Sequence, residues 1–302
     1  MIDNLTAGHR SAVKWGPFIE GDIGCESLLR RVFEEYKIEG VIHFAANAYV
    51  GESMSNPRKY FHNNVTKSLN LLNAMMDCGV NQMVFSSTCA VYGVPQQLPL
   101  EENHPQVPIN PYGETKLFVE KACHWYSQAH ELRSVCLRYF NAAGADPAGE
   151  LGETHDPETH LIPLAIQAAY GSRPGLTVFG TDYPTPDGTA VRDYIHVSDL
   201  AQAHVQALKF LEGGGEGTTM NLGTSSGYSV REVIDCVQRV SGGRIHVHEA
   251  PRRPGDPAIL VASPGRADQL LNWRPVHSSL EEIIATACRW HAPRLRFAAG
   301  AH

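Results

Sequence analysis

Short apolar runs alternate with longer amphipathic ones through the first half of the chain. Val41-Ile42-His43-Phe44-Ala45-Ala46 is an apolar run of strand length. Over residues 57–78, Phe61, Val65, Leu69, Leu72 and Met76 recur at helical spacing, with Pro57 suited to a helix start and Gly79 to its end. Residues 80–86, centred on Met83-Val84-Phe85, read as the next buried strand, 111–129 as a second long helix and 134–139 as a third strand. This alternation predicts an α/β fold, a doubly wound parallel sheet. After Phe140 the rhythm changes. Residues 141–193 are rich in Gly, Pro, Asp and Thr around one helical stretch at 161–170, and 182–188 form a loop. The expected division is a first domain over 1–143 and a smaller α/β domain over 144–302, covering the cleft end of the sheet. A helix at 197–211 and a short strand at 220–223 return to the first sheet, so roughly 197–223 belongs with the first domain. Helices at 229–241 and 279–291 complete the second.

Composition narrows the class. Of 302 residues, 43% are hydrophobic and 19% charged, enough apolar material to bury a core. Acids outnumber bases 32 to 25, for a net charge of −7, which disfavours a phosphate-backbone binder and bulk nucleic-acid binding. No run approaches the ~18 consecutive apolar residues of a membrane span, and Met1-Ile2-Asp3-Asn4 lacks the basic and apolar stretches of a signal peptide. Seven cysteines, an odd number with no C-x-x-C, fit a reducing, cytoplasmic compartment. None of the fifteen histidines forms a helical H-x-x-x-H with a nearby acid, so no metal site is expected.

A doubly wound nucleotide fold opens with a strand, a glycine-rich turn and a helix. No G-x-G-x-x-G or G-x-x-G-x-x-G occurs here. Ile2 instead reads as the last residue of a second strand. Asp3, with Asn4 beside it, then stands where an acid holds the adenosine ribose, about 20 residues after the glycines. On this reading the first βα unit, roughly 30 residues, is lacking ahead of Met1. The 302-residue chain is expected to be unstable or to bind its dinucleotide poorly, either because the true product starts earlier or because the chain is an inactive remnant.

Tyr112 and Lys116 lie at i and i+4 on one helix face. A phenol has a reference pKa of about 10, and an ammonium beside it favours the phenolate, giving a general base near neutral pH. About 25 residues upstream, Ser86-Ser87-Thr88 place hydroxyls at the carboxyl end of a strand, where such sheets bind ligands. Cys89, with no base partner, reads as a packed thiol.

Ser86-Ser87-Thr88-Cys89-Ala90-Val91-Tyr92-Gly93, Pro111-Tyr112-Gly113-Glu114-Thr115-Lys116, Leu137-Arg138-Tyr139-Phe140-Asn141, Val191-Arg192-Asp193-Tyr194-Ile195-His196-Val197, Asn221-Leu222-Gly223 and Arg252-Arg253-Pro254-Gly255-Asp256 follow in order. Together they resemble the UDP-glucose 4-epimerases of the extended short-chain dehydrogenase/reductase family, over essentially the whole chain. The resemblance implies a Rossmann-type NAD-binding domain and interconversion of UDP-sugars at C4 through a 4-keto sugar. It implies Tyr112 as base, Lys116 tuning it and holding the nicotinamide ribose, and Thr88 moving the proton and touching substrate. Asp22 and Ile23 match the adenine end of NAD, and Phe44, Ala45 and Ala46 the turn beside its pyrophosphate. Asn64, Ser86 and Tyr139 match further cofactor positions. Asn141, Leu161, Phe179, Arg192, Arg253 and Asp256 match the nucleotide-sugar positions, where the two arginines offer forked donors to a diphosphate. A homodimer through the helices at 57–78 and 111–129 is a further implication.

The pattern departs from that family at Ala48, where many members carry Lys. Ala46-Asn47-Ala48-Tyr49-Val50 resembles instead a subgroup that includes UDP-arabinose (UDP-xylose) 4-epimerases. Leu260, of intermediate bulk, stands at the position that gates N-acetylated sugars, and His160 replaces an Asn of some relatives. A nucleotide-sugar 4,6-dehydratase would need an acid pair where Cys89-Ala90 stand.

Overall fold

A computed structural model describes residues 1–253 and 255–299, the last four by backbone alone; Pro254 of the Arg252–Asp256 motif lies outside the described residues. In chain order the elements are β1 (Ile2–Asp3), β2 (Ile19–Glu20), α1 (Glu26–Tyr36), β3 (Val41–His43), α2 (Val50–Ser55), α3 (Pro57–Tyr60), α4 (Lys67–Asp77), β4 (Gln82–Ser86), α5 (Pro111–His130), β5 (Arg133–Arg138), β6 (Asn141–Ala143), α6 (Leu161–Ala169), β7 (Leu176–Phe179), β8 (Val191–Arg192), β9 (Tyr194–His196), α7 (Val197–Glu212), β10 (Thr218–Asn221), β11 (Tyr228–Ser229), α8 (Val230–Ser241), β12 (Val247–Ala250), β13 (Ile259–Leu260), α9 (Gly265–Leu271) and α10 (Leu280–Ala299).

The central sheet is parallel and four-stranded, in the order β10-β5-β4-β3. β4 and the centre of β5 are buried on both faces, which is why Met83-Val84-Phe85 and Val135-Cys136-Leu137 read as short continuous apolar runs rather than alternating ones. On β4, Met83 and Phe85 face one core with α1, α4 and α5, where Leu29, Phe33, Leu72, Met75 and Val119 pack. Val84 faces the opposite core, with Val135 and Leu137 of β5, Leu200 and Ala203 of α7 and Trp273. Each large aliphatic side chain so buried contributes about 1.5–3 kcal/mol. β10 pairs with β5 from Thr218↔Val135 to Asn221↔Arg138, so the chain does return to this sheet after residue 197.

β1 and β2 form a separate parallel pair, Ile2 opposite Ile19, with no strand pairing to the larger sheet. Ile2 and Ile23 nevertheless pack against the core under α1 and α4. The helix expected over 57–78 is interrupted: a π-helical turn, Phe61–Thr66, joins α3 to α4. The extra residue in that turn accompanies the inward placement of Asn64, which is 2% exposed.

A third core gathers Ile162 and Ile166 of α6, Leu176 and Val178 of β7, Val233 and Val237 of α8 and Ile283 and Ile284 of α10. Ser229 starts α8 with a full capping box to Glu232, as its hydroxyl-to-acid spacing allows. Among the described residues no helix is long and apolar enough to cross a membrane.

Candidate active site

Asn110 caps α5 by accepting from the Gly113 N–H at 2.9 Å, with Pro111 in the first turn. This fixes Tyr112 at the helix start. A Cβ on Gly113 would stand 2.7 Å from the Ala90 carbonyl oxygen, so glycine lets α5 lie directly on the turn that follows Thr88. Thr88 accepts from the Ala90 N–H at 3.1 Å, and its hydroxyl lies close enough to the Tyr112 phenol to favour the ionised form. One turn on, the buried Lys116 donates from Nζ to the Ser86 carbonyl at 2.7 Å. Ser86 Oγ and the Tyr139 hydroxyl lie 2.7 Å apart. Tyr112, Lys116, Thr88, Ser86 and Tyr139 thus converge at the carboxyl ends of β4 and β5.

Burial pushes the Tyr112 phenol above its ordinary value, with Tyr139 adding to the effect and the Thr88 hydroxyl opposing it. The sequence-based expectation of a lowered phenol is therefore corrected for the chain by itself: Lys116 is bonded to a carbonyl, and removal from water dominates. Burial also lowers Lys116, to about 8, while the nearby Glu120 carboxylate resists. His43 is lowered to about 3 and His204 to about 4, by burial and by the charge of Lys116. Both imidazoles therefore face the lysine uncharged at neutral pH.

Asp3, Asn4, Asp22 and Ile23 come together at the ends of β1 and β2. Asn4 Nδ2 donates to Asp22 Oδ2 at 2.9 Å, and Asp3 accepts from the Leu5 N–H at 2.7 Å. Lys67 Nζ lies 2.5 Å from Asp22 Oδ2. Burial tends to raise Asp22, but the hydrogen bonds from Lys67, Gly24 and Asn4 leave it below the usual carboxylate value. Phe44, Ala45 and Ala46 run out of β3, with Phe44 exposed and stacked at 4.5 Å on His204. Asn64 does not present a free amide here. Its Oδ1 accepts from the Asn47 N–H at 2.8 Å, and its Nδ2 donates to the Asn47 carbonyl at 2.9 Å and to Thr115 at 3.1 Å, tying the 44–47 turn to α5.

These groups all lie at the carboxyl edges of the two parallel sheets, the side on which open α/β sheets take nucleotides. Acid and amide at the β1–β2 ends, an open turn after β3, and a lysine among hydroxyls after β4 match the donors and acceptors that a dinucleotide requires.

The remaining predicted residues fall into separate local pairings. Arg192 Nη2 pairs with Asp256 Oδ1 at 2.5 Å, while the Tyr183 hydroxyl donates to the Asp256 carbonyl at 3.3 Å. The Arg253 guanidinium stacks 4.2 Å over the ring of Phe179. Asn141 donates to the Asp193 carbonyl at 2.8 Å, and Leu161 opens α6. Asp193 is not a surface partner for Arg192. It is buried, accepts from Thr224 and from the Ala262 N–H, and so joins three loops.

Two groupings escaped sequence reasoning. Glu153, His155, Glu158 and His160 bring their ligand atoms within 4.8 Å of one another. His155 Nδ1 lies 3.0 Å from Glu153 Oε1, which also contacts His160 Nδ1. Hydrogen bonding to Glu153 raises His155 to about 10. Burial tends to raise Glu153, but its two imidazole partners lower it to about 2. At neutral pH this is a network of ion pairs. The Glu-x-His-x-x-Glu-x-His spacing was its only signal, and a search for helical ligand pairs passes over it. The second grouping is the buried pair Arg138–Glu120, whose partners lie 18 residues apart on different elements.

Fold and site together define a nucleotide-handling α/β enzyme with a Tyr–Lys pair. The comparisons agree: the model of the NAD dependent epimerase/dehydratase family matches residues 1–223, and the chain belongs to that family. It is 52% identical over 292 residues to the UDP-glucose 4-epimerase of Rhizobium leguminosarum bv. trifolii, covering 97% of this chain and 89% of that protein. A crystal structure of UDP-glucose 4-epimerase from Brucella ovis in complex with NAD superposes with a TM-score of 0.94 at 51% identity, over 97% of this chain and 89% of that one. The UDP-glucose-4-epimerase from Stenotrophomonas maltophila, solved with bound NAD and formylated UDP-arabinopyranose, gives a TM-score of 0.94 at 38% identity, over 100% of this chain and 91% of that one. The Rossmann-type fold expected from the sequence is thus the fold of NAD-bound relatives.

Proposed function

We propose that this protein is an NAD-dependent UDP-glucose 4-epimerase, which interconverts UDP-glucose and UDP-galactose at C4 by way of a 4-keto sugar. The observation that carries this reading is the convergence of the Tyr112 phenol, the Thr88 hydroxyl beside it and the buried Lys116 at the carboxyl end of β4. Tyr112 takes the proton of the 4-hydroxyl, and Thr88 passes it. Lys116, Ser86, Tyr139, Asp3, Asn4, Asp22, Ile23 and the Phe44–Ala45–Ala46 turn form the cofactor side. Asn64 serves it indirectly, by holding that turn. When bound, NAD supplies a hydride acceptor whose hydride returns to the sugar. Arg192 and Arg253 grip the diphosphate, Asp256 orients Arg192, Phe179 supports Arg253, and Asn141 and Leu161 complete the sugar-nucleotide wall. A raised phenol suits this work, since Tyr112 must hold a proton between abstraction and return, and a bound cation beside it lowers its value for the abstraction step.

The test is conversion of UDP-galactose to UDP-glucose with added NAD. Tyr112→Phe should lower kcat by about 10²–10⁴-fold, the usual worth of a general acid–base, with KM little changed. Unaltered turnover would refute the assignment.

Ala48 favours a second reading, a UDP-arabinose/UDP-xylose 4-epimerase. Comparing kcat/KM for the pentose and hexose nucleotides decides between the two.

The separate core of α6, β7, α8 and α10 supports a substrate domain over 144–302, with 197–223 returned to the NAD domain 1–143. Phe61 after α3, and Phe118 and Trp125 on α5, are 44%, 48% and 69% exposed. Large apolar groups exposed on adjoining helices support a homodimer, which the molar mass in solution tests. Seven unpaired cysteines support a cytoplasmic location, which fractionation of the source cells tests.

A further inference from the structure

Three residues one turn apart on α5 meet three consecutive residues at the end of β4. The Tyr112 phenol stands beside the Thr88 hydroxyl. Lys116 donates to the Ser86 carbonyl at 2.7 Å. Glu120, the third in the i, i+4 series, accepts from Ser87 Oγ. Tyr112 and Lys116 carry the proposed chemistry; Glu120 lies behind them and reaches no open space, being 8% exposed.

Glu120 is held from the other side. Arg138 of β5 grips both its carboxylate oxygens, Nε to Oε1 at 2.9 Å and Nη2 to Oε2. Arg138 Nη1 also donates to the Tyr92 hydroxyl at 2.9 Å. Tyr92 donates in turn to Asn221 Oδ1 of β10 at 2.6 Å, and Asn221 Nδ2 donates to the Leu100 carbonyl at 3.0 Å. A single buried chain of bonds therefore crosses α5, β4, β5, the turn after Thr88 and β10. A buried ion pair is rarely more stabilising than apolar side chains of the same volume. What it adds is direction, because forked charge-assisted bonds fix angles that apolar contacts leave free.

We infer that Glu120 is a positioning residue of the active site: clamped by Arg138, it holds Ser86, Ser87 and Thr88 in register with Tyr112 and Lys116. The inference rests on the epimerase reading. The groups facing Lys116 are His43 from β3 and, through its ring, Phe85 of β4, His204 from α7, Glu120 from its own helix, and Tyr139 through Ser86, with Arg138 behind Glu120. Glu120 is the carboxylate among them, so it both aims the strand end and keeps the lysine charged.

The experiment compares the wild type with Ser87→Ala, Glu120→Gln, Glu120→Asp and the apolar double variant Glu120→Leu/Arg138→Met. Each is assayed for folding by circular dichroism, for kcat and KM with UDP-galactose and NAD, and for the pH profile of kcat/KM. Glu120→Gln and the double variant should fold, hold KM within about twofold, and lose about tenfold to 10²-fold in kcat, the cost of misplacing a catalytic group by a fraction of an ångström to 1 Å. The alkaline limb of the Glu120→Gln profile should move to lower pH, because Lys116 loses the carboxylate that favours its charge. Glu120→Asp should recover part of kcat. Ser87→Ala, which removes one neutral donor, should fold and lose about 2–10-fold in kcat. It carries the test alone if the Glu120 variants do not fold. Folded variants with wild-type kcat and an unmoved alkaline limb would overturn the inference and leave the epimerase reading intact. A wild type that does not epimerise would overturn both.

Discussion

Tyr112 and Lys116 could be read from the sequence because their chemistry depends on a four-residue spacing that any helix turns into a shared face. What spacing could not provide was the environment. The phenol is raised rather than lowered, because burial outweighs a lysine that spends its proton on the Ser86 carbonyl. The His155 cluster was illegible for a related reason: its geometry belongs to an irregular loop with no period to read. It yields a prediction at this scale. His155 titrates near 10 against an ordinary 6.5, so its contribution to stability is fully present below pH 6.5 and is lost as pH rises through 10. Glu153 titrates near 2 against 4.5, so its contribution is fully present above pH 4.5 and is lost as pH falls through 2. Both are complete only between pH 4.5 and 6.5. His155→Gln should therefore destabilise most in that window, by on the order of 1 kcal/mol once solvent screening is allowed for. The penalty should shrink toward pH 10. Denaturant melts of both proteins across pH 4–10 measure it, and a pH-independent difference would refute the pairing.

Elements were legible where burial was uniform. β4 and β5 lie between two cores and carry three-residue apolar runs at their centres, and α5 opens on Pro111 behind a capping Asn110. The π-helical turn at Phe61–Thr66 was not legible, since one inserted residue barely disturbs a helical period and its cause, Asn64 reaching Asn47 and Thr115, is tertiary. The split of the parallel strands into two sheets was hidden for the same reason: strand runs give identity, while pairing is decided elsewhere in the chain. Gly113 is the position where element geometry and chemistry meet. A methyl group there would stand 2.7 Å from the Ala90 carbonyl, and backbone on both sides leaves little room to yield. Gly113→Ala should therefore displace α5 from the turn after Thr88. Overpacking of this kind costs about 1–3 kcal/mol, but the loss of kcat should be larger, about 10²-fold, because Tyr112 adjoins the displaced residue. The variant should melt as a cooperative unit while turning over poorly; wild-type kcat would show that the contact does not set the position of Tyr112.

At the scale of the molecule the candidate site is divided. Tyr112, Lys116 and the dinucleotide-side residues stand by the sheets, whereas Phe179 and Leu161 belong to elements packed on the core of α6, β7, α8 and α10, and Arg253 stacks on Phe179. The motifs named Arg192 and Asp256, 64 residues apart, but not that they would already be paired at 2.5 Å. A ligand that spans two cores stabilises both, by RT ln(1 + [L]/Kd) when it binds only the folded chain, about 2.7 kcal/mol at a hundredfold excess over Kd. On the proposed assignment UDP would engage the arginine side and NAD the sheet side. Each should raise the melting temperature independently. Arg253→Ala leaves Phe179 unstacked and removes one diphosphate fork, so it should abolish most of the UDP shift and leave the NAD shift unchanged. Asp22→Ala should do the reverse, since its carboxylate organises Asn4 and Lys67 on the cofactor side. Thermal melts of the wild type and both variants with each ligand separate the two halves. If either variant lost both shifts, the two sides would be one cooperative pocket rather than two walls brought together by the fold.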